Sequence, residues 1–346
     1  MNAAVIHRDK KVFGDDADEF RPERWIDFPD EQVKLMNRHL MTFGYGSRSC
    51  IGKNISIMEM GKLIPQLLRH FEIEWASDQS EWRVETFWIL NGQITPLLSI
   101  KHVATNEIAM MAKMAGFHAV FIDMEHSTFD MRTVGQLILA CNYVGVAPVV
   151  RSPSKSHWHL SRILDAGAAA VVIPHIETIE EVRDLVHHAK YAPLGARGCT
   201  NNQPLFNFQH IPTLKQNEAL NAQTLLIPMI ETPSAVEIAE EIFALDGVDG
   251  VLVGSNDLCT DLGIPGKYDD PLYLNAVIKV INAANKYGKA VGIGGIGGRL
   301  DLLEKWFSMG ASWSLSAADG AILQNGMKQV IKNYGEISER VEKPSN

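Results

Sequence analysis

The feature that most constrains the fold is a regular alternation of short apolar runs and helical segments that begins at Pro96. Eight runs rich in β-branched residues are each followed by a turn and by a segment with the 3.6-residue apolar period of a helix. Because these runs show no polar alternation, both faces of the predicted sheet are buried, as in a parallel sheet. The predicted strands are 96–100, 119–123, 147–151, 170–174, 224–230, 250–254, 290–294 and 313–317.

Strand–helix units over residues 92–337 match the usual size of a (β/α)8 barrel, about 250 residues. The sequence therefore predicts an α/β protein of the TIM-barrel class, with a doubly wound open sheet as the alternative. The predicted helices include 156–166, 179–189, 234–245, 271–287 and 300–309. Thr178 and Glu181 predict a capping box.

Two stretches lack a period. Residues 193–221 are too long for a routine connection and are expected to form a loop or lid over the active site. Residues 338–346 are expected to be a tail.

Composition excludes several classes of function. The 346 residues are 46% hydrophobic and 21% charged, which suits one large globular domain and a smaller segment. The net charge is −9 with no basic stripe, so nucleic acid is not an expected partner. We find no bilayer-spanning apolar run and no secretory signal, so no membrane association is expected. The four cysteines form no C-x-x-C pair, which is typical of a reducing compartment, and the expected location is the cytoplasm.

Polar residues that can carry chemistry follow four of the predicted strands. In a barrel the active site lies at the carboxyl ends of the strands, so these side chains are expected to share one mouth. They are Asp123, Glu125 and His126 after the second strand, Arg151 at the end of the third, Glu231 after the fifth and Asp257 after the sixth.

Glu231 and Asp257 are the candidate metal ligands. They follow neighbouring strands, and carboxylates that leave room for water and substrate are the usual protein ligands of Mg2+ or Mn2+. The alternative is that each carboxylate caps the helix that follows it. Their occurrence at one mouth favours metal binding.

Arg151 and His126 are the candidate groups for binding and proton transfer. Arg151 ends an otherwise apolar strand, and a buried guanidinium requires an anion beside it. That anion is either a protein carboxylate such as Glu125 or a carboxylate or enolate oxygen of the substrate. His126, close to Asp123 in sequence, has the pattern of an imidazole oriented by a carboxylate, which suits a general acid or base. A structural histidine is the alternative.

A series of motifs along the barrel resembles the HpcH/HpaI aldolase family, which includes the 2,4-dihydroxyhept-2-ene-1,7-dioate aldolases and macrophomate synthase. The motifs are Gly116-Phe117, Asp123-Met124-Glu125-His126, Val149-Val150-Arg151, Leu164-Asp165-Ala166-Gly167-Ala168, Gly195-Ala196-Arg197-Gly198, Ile230-Glu231-Thr232 and 250–258. The resemblance implies a class II aldolase, a carbon–carbon lyase that cleaves or forms 4-hydroxy-2-oxo acids through a pyruvate enolate. An aldehyde is then the second partner.

The resemblance also implies which residues bind metal and substrate. Glu231 and Asp257 would hold Mg2+, Mn2+ or Co2+. Arg151 would contact the 2-oxo acid, and the backbone N–H groups of Ser255 and Asn256 would receive its carboxylate at a helix start.

His126 matches the catalytic histidine of the family. It would be supported by Asp123 and by Asp165 of a neighbouring subunit, because the family assembles as homotrimers or homohexamers. Two positions depart from the pattern. Met229 stands where the named aldolases carry a glutamine, and Ser255 replaces a common proline, so the identity of the substrate is not fixed by the resemblance.

Other functions stay open on the sequence. A decarboxylating enzyme that forms carbon–carbon bonds, similar to macrophomate synthase, is one, and a catalytically inactive barrel is another. Lys101 after the first strand could form a Schiff base, the class I route. Residues 292–297 fit G-x-G-x-x-G, but they form the seventh strand–helix turn without the second half of a dinucleotide-binding fold.

Residues 1–91 show no strand–helix rhythm and carry a different motif. Residues 43–52 satisfy F-x-x-G-x-R-x-C-x-G and resemble the haem-thiolate loop of cytochrome P-450 monooxygenases, in which the cysteine matching Cys50 ligates iron. Phe20-Arg21-Pro22-Glu23-Arg24-Trp25 and the helix-like stretch 54–71 are similar to the same family. The distal helix and the E-x-x-R helix of that family have no counterpart here. We expect an incomplete C-terminal piece of a P-450-like domain, left by gene fusion or by the joining of neighbouring genes, whose haem, if bound, is not functional.

Overall fold

The computed structural model describes residues 9–17, 19, 21–40, 42, 62, 69 and 94–342. The chain divides into two compact units, Met1–Arg83 and Val84–Asn346. Cys50 and the predicted boundary between residues 91 and 92 lie outside the described residues.

In the N-terminal unit, short helices pack around a small apolar cluster. The helices are α1 (Lys10–Phe13), α2 (Arg24–Asp27) and α3 (Asp30–His39). The cluster contains Val12, Phe13, Ala17 and Met36. Arg24 is buried beside it and donates hydrogen bonds to main-chain oxygens of Phe13, Asp16 and Glu19. These bonds satisfy a buried guanidinium, so this residue of the P-450-like motif has a structural role.

The C-terminal unit contains a closed barrel of parallel strands that follow one another in sequence order. The strands are β1 (Thr95–Ile100), β2 (Ala119–Asp123), β3 (Ala147–Arg151), β4 (Ala170–Ile173), β5 (Leu225–Ile230), β6 (Gly250–Gly254), β7 (Ala290–Gly294) and β8 (Trp313–Ala318). Pairing of β8 with β1 closes the ring. The predicted (β/α)8 barrel is confirmed, and the alternative of an open sheet is wrong.

Helices connect the strands. They are α4 (Glu107–Met114), α5 (Met131–Val144), α6 (His157–Asp165), α7 (Ile179–Ala189), α8 (Thr213–Gln223), α9 (Pro233–Glu237), α10 (Ala239–Ala244), α11 (Ser255–Asp261), α12 (Pro271–Tyr287), α13 (Leu300–Met309) and α14 (Asp319–Glu342). Within the described ranges, every helix is too short or too polar to cross a membrane.

Successive residues of each strand alternate between the barrel interior and the helix layer. The interior cluster includes Leu97, Phe121, Val149, Ile227 and Trp313. Their sequence neighbours, such as Leu98, Ile122 and Val150, belong to a larger cluster between strands and helices. Both faces are mostly apolar, and the charged side chains within the strands, Asp123 and Arg151, lie at strand ends, where they can serve a site.

Strand and helix bounds agree closely with the sequence analysis. Each predicted strand begins and ends within one residue of the observed one. The capping box of Thr178 and Glu181 is present at the start of α7. The predicted helix 234–245 is instead two helices, α9 and α10, that meet at Ile238. Helix α14 continues through Glu342, so the predicted tail is helical as far as that residue.

The prediction that residues 193–221 form a loop or lid over the active site is wrong. The stretch contains a 3-10 turn, Pro204–Phe206, and most of α8. Only Gln216 and Leu220 of α8 are buried, so its sequence lacks the apolar period that predicts a helix. The stretch joins α7 to β5, which places it at the amino-terminal side of the strands, opposite the usual active-site face.

Asp319, directly after β8, fixes the turn that follows β1. It is buried, and its Oδ2 accepts hydrogen bonds from the backbone N–H groups of Lys101, His102 and Val103 at 3.0, 2.8 and 2.8 Å. Burial opposes the charge, but these hydrogen bonds outweigh it and hold the pKa of Asp319 below its ordinary value. Asp319 therefore links the end of β8 to the turn after β1, at the point where the ring closes.

The G-x-G-x-x-G sequence serves barrel packing. A Cβ at Gly292 would lie 2.2 Å from the indole of Trp313, and a Cβ at Gly297 would lie 2.8 Å from the main-chain oxygen of Ser316. Trp313 is fully buried in the barrel interior. The glycines leave room for the side chain of Trp313 and for the main chain of the adjacent strand. This packing explains the glycines of the motif, so no bound nucleotide is needed to explain them.

We expect Gly292→Ala to lower the free energy of unfolding by about 1–3 kcal/mol, because the added methyl group overpacks the core against Trp313. Urea denaturation followed by circular dichroism measures the change. Gly135→Ala in α5 is the control, because its Cβ would meet nothing within 4 Å. That variant should be neutral or more stable by up to about 1 kcal/mol. Equal stabilities of the two variants would contradict this account.

Candidate active site

The carboxyl ends of the strands surround a cavity of about 120 Å3 at the barrel mouth. Its walls come from the ends of seven of the eight strands, all but β4, together with the first turn of α11. The lining residues are Lys101, His126, Arg151, Met229, Leu252, Gly254, Ser255, Asn256, Asp257, Gly294, Gly295 and Leu315. No part of the stretch 193–221 belongs to this lining.

A buried ion pair between Asp123 and Arg151 joins the ends of β2 and β3. Arg151 Nε donates to Asp123 Oδ1 at 2.9 Å, and Nη2 donates to Oδ2 at 2.6 Å, so the pairing is bidentate. Burial opposes the charge of Asp123, but the hydrogen bonds and charge of Arg151, with the charge of Lys101, outweigh it. The pKa of Asp123 therefore lies below its ordinary value.

Arg151 pairs with a second carboxylate as well. Its Nη1 is 2.7 Å from Glu125 Oε2. The anion that a buried guanidinium requires is thus supplied by the protein, which was one of the two interpretations of the sequence. Binding of substrate by Arg151 stays a prediction, and the residue lines the cavity where such contact would occur.

One predicted contact is corrected by the structure. Asp123 Oδ1 accepts the backbone N–H groups of Glu125 and His126 at 3.1 and 3.2 Å, and its oxygens face Arg151 rather than the imidazole of His126. The His126 side chain is 55% exposed, with Nε2 3.8 Å from Glu125 Oε2. Asp123 therefore positions the turn that carries His126, and does not orient its ring.

The two predicted metal ligands lie at adjacent strand ends. Glu231 follows β5 and is buried, whereas Asp257 is exposed in the first turn of α11, after β6. Burial raises the pKa of Glu231, and the negative charges of Asp257 and Glu125 raise it further, although contacts with His175 act in the opposite direction. The Glu231 carboxylate is thus close enough to Asp257 to be repelled by it.

This arrangement suits a divalent cation. A Cβ at Gly254 would lie 2.7 Å from Glu231 Oε2, so the glycine keeps the space beside that oxygen open. Hard oxygen donors with surplus negative charge match the preference of Mg2+ and Mn2+. In the described ranges, no group of three or more His, Cys, Asp or Glu side chains could hold a metal ion. Metal binding by Glu231 and Asp257 stays a prediction.

His175, which the sequence analysis did not identify, connects two of the carboxylates. Its backbone N–H donates to Glu231 Oε1 at 2.5 Å, and its Nε2 is 2.6 Å from Glu125 Oε1. Its backbone has φ 59°, a left-handed conformation that is rare outside glycine. The signal that could have found it is its place in the loop directly after β4, at the same mouth.

The start of α11 forms another wall of the cavity. Ser255 and Asn256 are its first residues, so their N–H groups lack a partner within the helix. The Ser255 hydroxyl is 2.9 Å from the Tyr273 hydroxyl, and Tyr268 donates to Asn256 Oδ1 at 2.5 Å. Met229, at the position of the family glutamine, lies on the cavity wall with Sδ 4.0 Å from Arg151 Nη1.

Asp165 does not join the cavity of its own chain. It ends α6, at the amino-terminal side of the barrel, and its Oδ1 accepts a hydrogen bond of 2.6 Å from Arg197. The Asp165 side chain is 39% exposed. Its predicted contribution to the site of a neighbouring subunit therefore stays a prediction.

A closed parallel barrel with charged residues gathered at its carboxyl mouth defines a (β/α)8-barrel enzyme. Residues 101–320 match the HpcH/HpaI aldolase/citrate lyase family, and the chain belongs to this family. Its activity is therefore that of an aldolase or lyase.

Similar proteins support this assignment. The chain is 35% identical over 215 residues to a 4-hydroxy-4-methyl-2-oxoglutarate aldolase of Chaetomium globosum, which covers 62% of this chain and 80% of the relative. It is 33% identical over 180 residues to a hydroxypyruvate/pyruvate aldolase of Roseovarius nubinhibens, with coverage of 52% and 69%. The crystal structure of an HpcH/HpaI aldolase from Desulfitobacterium hafniense superposes with a TM-score of 0.66 at 29% identity, over 71% of this chain and 94% of that one.

The N-terminal segment has separate relatives. Residues 1–101 match the cytochrome P450 family. Over 90 residues the chain is 48% identical to a cytochrome P450 monooxygenase of Emericella nidulans, which is 26% of this chain and 18% of that protein. The resemblance of this segment to part of a P-450 is therefore confirmed.

Replacing Glu231 should change the pH dependence of stability. Because the folded-state pKa of Glu231 is raised, its contribution to stability is full below the ordinary pKa and is lost as the pH rises through the folded value. Glu231→Gln removes the charge. Without metal, the difference in the free energy of unfolding between variant and wild type should therefore change between pH 5 and pH 8, in favour of the variant at pH 8.

Thermal unfolding across this pH range measures the effect, with Glu218→Gln on α8 as the control. Adding Mg2+ or Mn2+ at a hundred times its Kd should stabilise the wild type by about 2.7 kcal/mol. The variant should respond much less. An equal metal response of wild type and Glu231→Gln would rule Glu231 out as a ligand.

Proposed function

We propose that the chain is a class II aldolase, a divalent-metal-dependent carbon–carbon lyase that cleaves or forms 4-hydroxy-2-oxo acids through a pyruvate enolate. The observation that carries this proposal is the position of two carboxylates, Glu231 and Asp257, at adjacent strand ends of a mouth that also presents Arg151 and His126. The named activities of the relatives, which act on a 4-hydroxy-2-oxo acid or on pyruvate, support the same reaction class.

Different residues of the mouth would bind the metal, the carboxylate and the 2-oxo oxygen. Glu231 and Asp257 would hold Mg2+, Mn2+ or Co2+, and the bound cation would supply Lewis-acid polarisation of the 2-oxo group. The N–H groups of Ser255 and Asn256 would receive the adjacent carboxylate at the start of α11. Arg151 would place its guanidinium beside the 2-oxo oxygen.

In the cleavage direction, His126 takes the proton of the 4-hydroxyl group while the bond between C3 and C4 breaks. The electron pair of that bond becomes the enolate of pyruvate, and C4 becomes the carbonyl carbon of the second product. Arg151 stabilises the enolate oxygen, an effect of about 3 kcal/mol by analogy with oxyanion holes. Return of a proton to C3 completes pyruvate.

We expect the purified full chain to release pyruvate from 4-hydroxy-4-methyl-2-oxoglutarate when Mg2+, Mn2+ or Co2+ is present. EDTA should abolish the activity and added metal should restore it. His126→Gln should lower kcat about 10²–10⁴-fold, because a general base is lost. A coupled lactate dehydrogenase assay measures pyruvate.

His187→Gln, on the exposed surface of α7, is the control and should retain full activity. Turnover that resists EDTA, or no pyruvate from any 4-hydroxy-2-oxo acid in a screen with all three metals, would refute the proposal. Carbon dioxide release from oxaloacetate, coupled to formation of a new carbon–carbon bond, would favour the decarboxylating alternative.

We also propose that the chain forms a homotrimer or homohexamer and that a second copy covers α14. Residues 321–341 of this helix are all exposed. Apolar residues nevertheless recur on it at alternating steps of four and three, the period of a helix seam that packs against a partner. They are Leu323, Met327, Val330, Tyr334, Ile337 and Val341.

The barrel offers a complementary surface. In a (β/α)8 barrel each strand is followed by a helix that covers its outer face. Because α14 leaves the barrel, a groove of about 750 Å3 lies open between α13 and the β1–β8 pair. It presents Ile94, Leu300 and Phe307 beside the small residues Ser314 and Ser316, which allow a helix to approach closely. The apolar seam of α14 from another copy matches the apolar lining of this groove.

Glutamate at seam positions should dissociate the assembly. We expect the wild type to sediment as a trimer or hexamer and the double variant Val330→Glu, Ile337→Glu to sediment as a monomer, since burying the added charges is unfavourable. Asn325→Glu with Gln329→Glu, on the opposite side of α14, is the charge-matched control. A monomeric wild type, or an assembly that survives the seam changes, would refute the arrangement.

Haem binding through Cys50 is the second candidate activity, favoured by the match of residues 1–101 to the P450 family. Cys50 lies outside the described residues. A Soret band after haem is added to the full chain, absent in Cys50→Ala, would identify such a site. The expectation from the sequence is that no functional haem is held.

The cytoplasmic location also stays a prediction. Cys141, Cys199 and Cys259 are free thiols in the part of the chain that the structure describes, and the first and last of them are buried. Unpaired cysteines support a reducing compartment. Cell fractionation with an antibody to the barrel would test the location.

A further inference from the structure

Lys101 occupies a distinct position in the mouth. It follows β1 directly, and its backbone N–H is held by Asp319 at 3.0 Å. Its Nζ lies 3.2 Å from Asp123 Oδ2, and the side chain lines the cavity. A fixed backbone and a charge at the cavity wall are the properties of a residue that can bind an anion.

Of the two permanent cations that line the cavity, Lys101 is the more exposed and has fewer carboxylate partners. Arg151 is 8% exposed, and its Nε and both Nη atoms already face carboxylates. The Lys101 side chain is 32% exposed and has an ion pair with a single described carboxylate. Since an ammonium group has three N–H donors, two of them are available to the cavity.

Asp123 does not need Lys101 to satisfy its two carboxylate oxygens. The bidentate pair with Arg151 and the N–H groups of Glu125 and His126 already bind both oxygens of that carboxylate. With Arg151 also paired to Glu125, the two cations balance the two carboxylates on this side of the mouth. What Lys101 offers an anionic group of a ligand is therefore its remaining N–H donors at a partly exposed ammonium group.

The position of Lys101 determines which group it can reach. In the closed ring, β1 is three positions from β6, whose end carries Asp257 and the start of α11. Under the proposed function, the 2-oxo end of the substrate lies at that β6 wall. Lys101 lines the same cavity from another side, and therefore faces the far end of a substrate bound there.

We propose that Lys101 is the residue that binds a second carboxylate, attached to C4 of a dicarboxylic 4-hydroxy-2-oxo acid such as the 4-hydroxy-4-methyl-2-oxoglutarate named for a relative, and that it thereby selects this class of substrate. This inference rests on the proposed function for the orientation of the substrate. Cleavage between C3 and C4 then yields pyruvate and a second 2-oxo acid, because the carboxylate stays on the carbon that becomes the carbonyl. The second partner is thus a 2-oxo acid rather than the aldehyde expected from the sequence.

A matched pair of ligands tests the proposal without turnover. 2-Oxoglutarate carries a carboxylate on C4, 2-oxopentanoate carries a methyl group there, and neither has the 4-hydroxyl group that cleavage needs. Isothermal titration calorimetry of the full chain with Mg2+ gives the ratio of the two affinities. We expect Lys101→Met to reduce the preference for 2-oxoglutarate about tenfold, the effect of losing one charge-assisted hydrogen bond at a partly exposed site.

Two further variants complete the experiment. Lys101→Arg keeps the charge and should retain most of the preference, whereas a Schiff-base lysine could not be replaced in this way. Lys215→Met, an exposed lysine on α8, should leave the ratio unchanged. The same ratio in Lys101→Met and wild type would overturn the proposal. If both affinities also fell by the same factor, Lys101 would act only by holding Asp123.

The two proposals can fail separately. A wild type that binds 2-oxopentanoate with Mg2+ and releases pyruvate from monocarboxylic substrates, yet shows no preference for 2-oxoglutarate, contradicts the role of Lys101 alone. Loss of the preference in Lys101→Met, together with no carbon–carbon cleavage of any substrate, supports the anion site and contradicts the aldolase.

Discussion

The bidentate pair of Asp123 and Arg151 is the interaction on which the mouth of the barrel depends. Each charge has left water, and the penalty of several kcal/mol for each ion is offset only because the two groups satisfy each other. The pair then determines its surroundings. Asp123 holds the turn that carries His126, and Arg151 draws Glu125 inward. Loss of either partner would leave a buried charge with a single remaining counter-charge, Lys101 for Asp123 or Glu125 for Arg151, so the two residues form one structural unit.

The charges around this pair are distributed unevenly. Lys101 and Arg151 stand on the β1–β3 side, whereas Glu231 and Asp257 stand at β5 and β6. Glu125, through His175, connects the two sides. The mouth thus has a balanced side, where Lys101 and Arg151 face Asp123 and Glu125, and a negative side at β5 and β6. Burial, together with the nearby negative charges, raises the pKa of Glu231 on the negative side. A ligand that brings a cation to that side matches this distribution of charge.

The sequence predicts the strands and the acidic mouth for one physical reason. Apolar runs buried on both faces have a pattern of their own, and the barrel then places each strand end at the same rim. The side-chain partners cannot be predicted in this way. From the sequence, Asp123 could contact either His126 or Arg151, and only the register of β2 and β3, which pairs residues 123 and 151, decides between them. Helix α8 lacks an apolar face, and His175 and Asp319 act partly through backbone contacts, which leave no signal in residue type.

Met229 shows how a single departure from the family pattern can redirect recognition. A glutamine there would offer an amide oxygen to Arg151, but the thioether is a weak acceptor, and its Sδ lies 4.0 Å from Nη1. The guanidinium therefore lacks that neutral partner, while Asp123 and Glu125 remain its carboxylate partners. Met229 on β5 and Leu315 on β8 are apolar parts of the cavity wall, and Lys101, after β1 and next to β8 in the ring, places a charged group beside this apolar neighbour. The discrimination between ligands then depends on what they place beside this lysine.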